Sequence, residues 1–260
     1  MISISCLIPR NSQRVEHDIR LALMTGIDIP VPECQLVIHQ PTIKEISIVG
    51  ENDFNLGAHL VCINKEDYGN EVALQDLNNF TLLMKLLEDK EAADKKQTVK
   101  QFLLLILPQY RITITPRSIL CNKDSENFII DEGNFESLQK IIRRILCMDH
   151  PSDKEDELPE KYNPANAKAE AIAQKIYKGR KQVAEIKANK NPNDSMLARK
   201  VSILAVGVGY TPEELNNFTI FQVNNLSTRM AMKIAQDTDE RVRIAGGKPD
   251  KSPPPWVGPI

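Results

Sequence analysis

Residues 195–247, SMLARKVSILAVGVGYTPEELNNFTIFQVNNLSTRMAMKIAQDTDERVRIAGG, hold three helix starts and one double stop, and their reading sets the fold expected for the chain. Ser195 precedes Met196, Ile203, Leu204 and Val206, so it is expected to cap a helix whose apolar side those four residues supply. Gly207 and Gly209 weaken that helix, and Tyr210 leads into a second start. There Thr211 can accept from the Glu214 N–H, Pro212 sits where its missing donor costs nothing, and Glu213 and Glu214 face the positive helix end. The third start follows at once, with Thr219 and Gln222 at capping-box spacing. Ile220, Val223, Leu226, Met230 and Ile234 then recur at helical intervals until Gly246-Gly247. Nothing in this stretch is a recognisable catalytic group; it reads as a packing module.

Outward on the N-terminal side lies Asn163 to Lys190, rich in alanine and lysine and therefore helix-prone. Ala169, Ile172, Ala173, Ile176, Val183 and Ile186 give it a narrow apolar stripe. The remaining faces are charged, with seven basic residues between Lys168 and Lys190 against Glu170 and Glu185. Ahead of it, Ser152 to Glu160 is acidic and proline-ended, the best domain boundary in the chain. Beyond the double stop, KPDKSPPPWVGPI has too many prolines for a helix or a central strand and is expected to be extended.

The N-terminal half mixes both periods. Met1 to Leu7 alternates like a strand, and Val15 to Met24 reads as a short amphipathic helix. Ile27 to Pro32 is a loop or an edge strand, and Gln35 to His39 a short apolar run. In QPTIKEISIVGENDF (40–54), Thr42 and Glu45 form another capping box, which predicts about two helical turns ending near Gly50. Phe54 to Ile63 suits helix or strand equally. Leu74 to Leu87 is helical, Glu88 to Lys96 a charged connector, and Val99 to Leu107 a buried helix. Tyr110 to Thr115, Ile119 to Cys121 and Phe128 to Ile130 predict a small antiparallel sheet. A helix opens at Asn134 with Phe135, Leu138, Ile141, Ile142, Ile145 and Leu146 as its stripe.

The expected architecture is α+β. Residues 1–150 form a mixed α/β domain with a small antiparallel sheet, 151–162 a linker, 163–247 an all-helical domain with a long basic helix, and 248–260 an extended tail. A formal charge of −2 excludes a globally basic nucleic-acid binder, though not a local patch. No run approaches the roughly 20 apolar residues of a membrane span. The opening MISISCLIPR lacks the layout of a secretion signal. The five cysteines, at 6, 34, 62, 121 and 147, are scattered and odd in number, which suits reduced and mostly buried thiols.

Chemical signatures are sparse. His17, His39, His59 and His150 show no metal-ligand spacing, so ordinary structural histidines are expected and no metal. Val206-Gly207-Val208-Gly209 lacks the lysine of a phosphate loop and follows a helical pattern, so it reads as helix termination and no cofactor is expected. Glu45 and Glu51 read as ordinary surface acids, and no nucleophile motif surrounds Ser47, Ser202 or Cys121. Lys168, Lys175, Lys178, Arg180, Lys181 and Lys187 could neutralise phosphates, but without interleaved aromatics a solvated face or one meeting an acidic partner is the simpler reading. Phe218, Phe221, Gln222, Leu226 and Met230 are candidates for partner contact as well as for core packing. Trp256, in its PPPW context, is either a docking anchor or part of a disordered end.

Several ordered pieces carry a resemblance. They are IHQPTIKEISIVGENDF (38–54), ITITPRSIL with FIIDEGNFESLQKIIRRIL, YNPANAKAEAIAQKIYKGRKQVAEIK, and VSILAVGVGYTPEELNNFTIFQVNNLSTRM with a downstream AGGK and a near-terminal tryptophan. With these pieces, covering about two thirds of its length, the chain resembles tail-assembly chaperones and related morphogenesis proteins of tailed bacteriophages. The resemblance implies a non-enzymatic protein with no catalytic residues. It also implies other phage structural proteins as partners, such as a tape-measure protein, and a place in the host cytoplasm during assembly. That expectation requires neither self-association nor retention in the virion, though it is compatible with both. The alternatives are a permanent virion component (connector, baseplate or packaged cargo), to which a threading SPPPWVGPI tail would suit, and a nucleic-acid-binding protein using the basic helix.

Overall fold

The computed structural model describes residues 12–65, 77–88, 93–148 and 195–246. The chain is α+β and mostly helical, with nine helices and two small antiparallel sheets among the described residues. The expected strand at Met1 to Leu7, the acidic linker, the long basic helix and the proline-rich tail lie outside them. The chain divides into two units, one of residues 1–149 with 213–222 and one of 150–212 with 223–260.

In the first unit, α1 (Ser12–Thr25) leads into a hairpin of β1 (Ile29–Val31) and β2 (Leu36–Ile38), paired Ile29 to Ile38 and Val31 to Leu36. The predicted capping box is present: the Thr42 hydroxyl accepts from the Glu45 N–H and the Glu45 carboxylate accepts from the Thr42 N–H, starting α2 (Ile43–Val49). Gly50, at φ +99°, ends α2 and at once begins α3 (Glu51–Val61), so the stretch open to helix or strand is helical from Phe54 to Val61, with Cys62 and Ile63 beyond its end. α4 (Asn79–Glu88) starts later than its apolar spacing suggested, leaving Leu77 outside the helix. The presumed charged connector is partly helical, since α5 (Ala93–Ile106) takes in Ala93 to Lys96. Lysines there project to solvent while Val99, Phe102, Leu103 and Ile106 bury the turns that follow.

A three-stranded meander of β3 (Arg111–Ile114), β4 (Ile119–Lys123) and β5 (Glu126–Ile130) matches the expected small sheet. Its register sets Ile112 opposite Cys121 and Ile119 opposite both Ile114 and Ile130, so one face is apolar and buried. α6 (Phe135–Ile145) buries Phe135, Leu138, Ile141, Ile142 and Ile145 as its period demands. Leu146 instead closes that helix, half-buried. The tightest helix pair is α3 on α5. Gly57 makes it possible, because a Cβ there would lie 2.5 Å from the Phe102 Cβ. Ring pairs Phe54–Phe102 and Phe80–Phe135, at 5.6 and 5.3 Å, extend the same core.

One polar staple crosses this core. The Gln139 amide on α6 donates to the carbonyls of Val61 (3.0 Å) and Ile63 (2.7 Å), and its oxygen accepts from Asn79 (3.0 Å). One turn on, the Arg143 guanidinium donates to the Cys62 carbonyl between them. Three consecutive carbonyls at the end of α3 are thus satisfied by side chains of another helix.

Residues 213–222 were expected within the helical C-terminal part but pack in the first unit. They contain most of α8 (Pro212–Asn216), a buried Leu215, and the start of α9 (Ile220–Ile244). An antiparallel bridge pairs Thr42 with Thr219: the Ile43 N–H donates to Phe218 O (3.0 Å) and the Ile220 N–H to Pro41 O (2.9 Å). Two helix starts therefore face each other across one bridge.

In the second unit, α7 (Met196–Val208) is capped as expected, the Ser195 hydroxyl accepting from the Ala198 N–H at 2.8 Å. It runs through Gly207 and stops at Gly209, which takes the left-handed conformation. The expected apolar side is corrected here. Leu204 is buried, and so is Leu197, whereas Met196, Ile203 and Val206 face solvent. Gly207 explains why: a Cβ there would fall 1.9 Å from the Met230 Cε, so the glycine side of α7 admits Met230 of α9.

Candidate functional site

The exposed face of α7 is built by helical spacing. Met196, Ile203 and Val206 stand at i, i+7 and i+10, one row along the helix. Their exposures, 58%, 49% and 90%, are high for side chains of this size. Leu197 and Leu204 form the buried row, about 100° around from Met196 and Ile203 and nearly opposite Val206. Arg199 and Lys200 fall between Met196 and Ile203, and the Lys200 ammonium donates to Asn224 Oδ1 at 2.7 Å. An apolar row bordered by basic side chains is what an amphipathic partner segment with acidic flanks would cover. A second group of exposed apolar side chains in the first unit is Leu21 and Met24 at the end of α1 and Ile27 just past it.

Each residue singled out from the sequence has a definite place. Phe218, Phe221 and Gln222 are half-buried residues of the inserted 213–222 segment. Gln222 completes its capping box, its carboxamide oxygen accepting from the Thr219 N–H (2.8 Å) and its own N–H donating to the Thr219 hydroxyl (3.2 Å). Its amide also donates to Met24 O at 2.9 Å. Leu226 and Met230 are half-buried in the second unit, Met230 against Gly207. Three of the five thus belong to the first unit and two to the second. Trp256 and the basic set Lys168, Lys175, Lys178, Arg180, Lys181 and Lys187 lie outside the described residues. Sequence reading missed Met196, Ile203 and Val206 as surface, because it assigned them to the core side. The only available signal was the glycine at 207.

Three titratable groups, Asp28, His39 and Glu45, are joined by hydrogen bonds. His39 sits between Asp28 Oδ1, 3.0 Å from its Nδ1, and Glu45 Oε2, 3.1 Å from its Nε2. Burial by itself would lower the His39 pKa, but the hydrogen bonds and charges of Glu45 and Asp28 outweigh it and hold the ring above its ordinary 6.5. For Glu45, burial would raise the pKa, yet the Thr42 N–H, His39 and the Thr42 hydroxyl together hold it below its ordinary 4.5. Glu45 is therefore no ordinary surface acid. While it is protonated and donates from both ring nitrogens to carboxylates, the imidazole has no lone pair. The two carboxylates flank the ring rather than converge, and among the described residues no group of three or more His, Cys, Asp or Glu could hold a metal. Burial also pushes the Cys34 thiol up to about 11, with Glu33 and Asp131 adding to it, and that of Cys121 up to about 12.

Among the described residues no helix is long and apolar enough to cross a membrane. The chain matches no family model, no curated protein and no solved structure.

Proposed function

We propose that this chain is a non-enzymatic bacteriophage assembly protein that acts by protein–protein contact, as a chaperone of tail assembly. Two things support that reading. The sequence resembles such proteins over ordered pieces in both halves. The observation that carries it furthest is the solvent-facing Met196–Ile203–Val206 row with Arg199 and Lys200 beside it. Such a row loses free energy to water until a partner covers it. In this reading the partner is an amphipathic segment of a tail component, such as the tape-measure protein, held until it polymerises.

Co-expression tests it. The phage's tape-measure protein is expected to stay soluble beside the wild-type chain and to aggregate beside an Ile203→Asp/Val206→Asp variant that still folds. Protection undiminished by the double variant would remove the α7 face from the proposal. Purified particles are expected to lack the chain by mass spectrometry. Stoichiometric presence there would replace the chaperone with a permanent virion component.

A further inference from the structure

Residues 213–222 lie between two walls of the first unit. One wall is the turn after α1, where Met24 O accepts from the Gln222 amide and a Cβ on Gly26 would lie 3.2 Å from Thr219 Cγ2. The other is the start of α2, where Thr42 pairs with Thr219 and the Ile43 N–H donates to Phe218 O. The same two walls are tied to each other by His39, which grips Asp28 just past the turn and Glu45 in the first turn of α2. Glu45 in turn accepts from the N–H and the hydroxyl of Thr42, both at 2.8 Å. From the ring the route runs by hydrogen bonds from His39 to Glu45 and from Glu45 to Thr42, and then crosses the bridge through the neighbours of Thr42 and Thr219, from the Ile43 N–H to Phe218 O and from the Ile220 N–H to Pro41 O.

Carboxylate oxygens accept and do not donate, so both grips exist together only when each ring nitrogen carries a proton. Among the described residues, Asp28 from the turn and Glu45 from α2 are the charged groups that act on the ring, and both are acids. We propose that Asp28, His39 and Glu45 form a pH-sensitive fastener that closes the two walls on residues 213–222. When His39 gives up a proton, one ring nitrogen turns a lone pair toward a carboxylate. That contact opens, and the turn and α2 are no longer tied through the ring. The inserted segment keeps the bridge, the Gln222 bond and its buried Leu215, but the two walls on either side of it are no longer clasped.

Residue-resolved amide exchange on the full chain between pH 5.5 and 8.5 tests this, read as protection factors so that the intrinsic pH dependence is removed. Protection at Ile43 and Ile220, the two donors across the bridge, is expected to fall by about threefold or more as pH rises. The fall should track the His39 ring titration, whose midpoint lies above 6.5. The Phe102 amide in α5 serves as the reference and keeps its protection. In His39→Gln the pH dependence disappears. Should that variant not fold, Asp28→Asn is expected to lower the His39 midpoint and shift the loss of protection with it. Protection that stays level while His39 titrates, or that falls equally at Phe102, would overturn the fastener.

Discussion

Met230 fills the space that Gly207 leaves: a methyl on the glycine would meet the Met230 Cε at 1.9 Å and its sulfur at 2.6 Å. The pair marks the side of α7 that meets α9, and Met196, Ile203 and Val206 are left in water. The colliding atoms are the far end of an unbranched side chain, which can swing aside. At Gly57 the situation is the reverse. There the methyl would meet the Cβ of Phe102 at 2.5 Å and the Thr98 carbonyl at 3.2 Å, neither of which can move without its helix.

Hence Gly57→Ala should destabilise the protein by about 1–3 kcal/mol through overpacking. Gly207→Ala should stay within about 1 kcal/mol of wild type, since alanine's helix preference offsets part of the repacking. Urea denaturation of both variants checks the order. Equal losses would mean that α3 and α5 can part to admit a methyl at Gly57.

Gln139→Leu keeps the volume but removes the donor to Val61 O and Ile63 O and the acceptor for Asn79. A loss of about 2–4 kcal/mol is expected, because buried polar groups are left without partners. A cost under about 1 kcal/mol would show the staple to be dispensable.

On α7, Ile203→Asp and Val206→Asp should each change stability by no more than about 0.5 kcal/mol, as exposed positions do. Leu204→Ala, at a fully buried site, should cost about 2–5 kcal/mol. If the aspartate variants unfold the chain, the row is covered in solution and the partner surface must be sought elsewhere.

The pH dependence of stability follows from the directions at His39 and Glu45. His39 is raised, so its contribution is complete below its ordinary 6.5 and is lost as pH climbs through the folded value. Glu45 is lowered, so its contribution is complete above its ordinary 4.5 and is lost as pH falls through the folded value. The stability gap between wild type and His39→Gln should therefore be widest from about pH 4.5 to 6.5 and narrow above it. Parallel denaturation curves at pH 5.5 and 8.5 measure it, and a gap that widens with pH contradicts the sign.

Cys34 and Cys121, buried and raised to about 11 and 12, should resist iodoacetamide at pH 8 in the native protein and react once urea unfolds it. Fast native labelling of either would show that its burial is only transient.

What the sequence by itself determined is what neighbours along the chain decide. The Thr42–Glu45 and Thr219–Gln222 boxes, the Ser195 cap and the β3–β4–β5 alternation involve residues a few positions apart, whose spacing is set by helix or strand geometry. Even so, spacing ranks residues only by period. It put Met196, Ile203, Leu204 and Val206 on one apolar side of α7, of which only Leu204 is buried. Tertiary packing decided that, by placing Met230 at Gly207. It also decided that 213–222 folds with the first unit and that His39 lies between an acid eleven residues before it and one six residues after it. Such contacts join segments distant in sequence, and their free energy depends on complementary surfaces that no local pattern encodes.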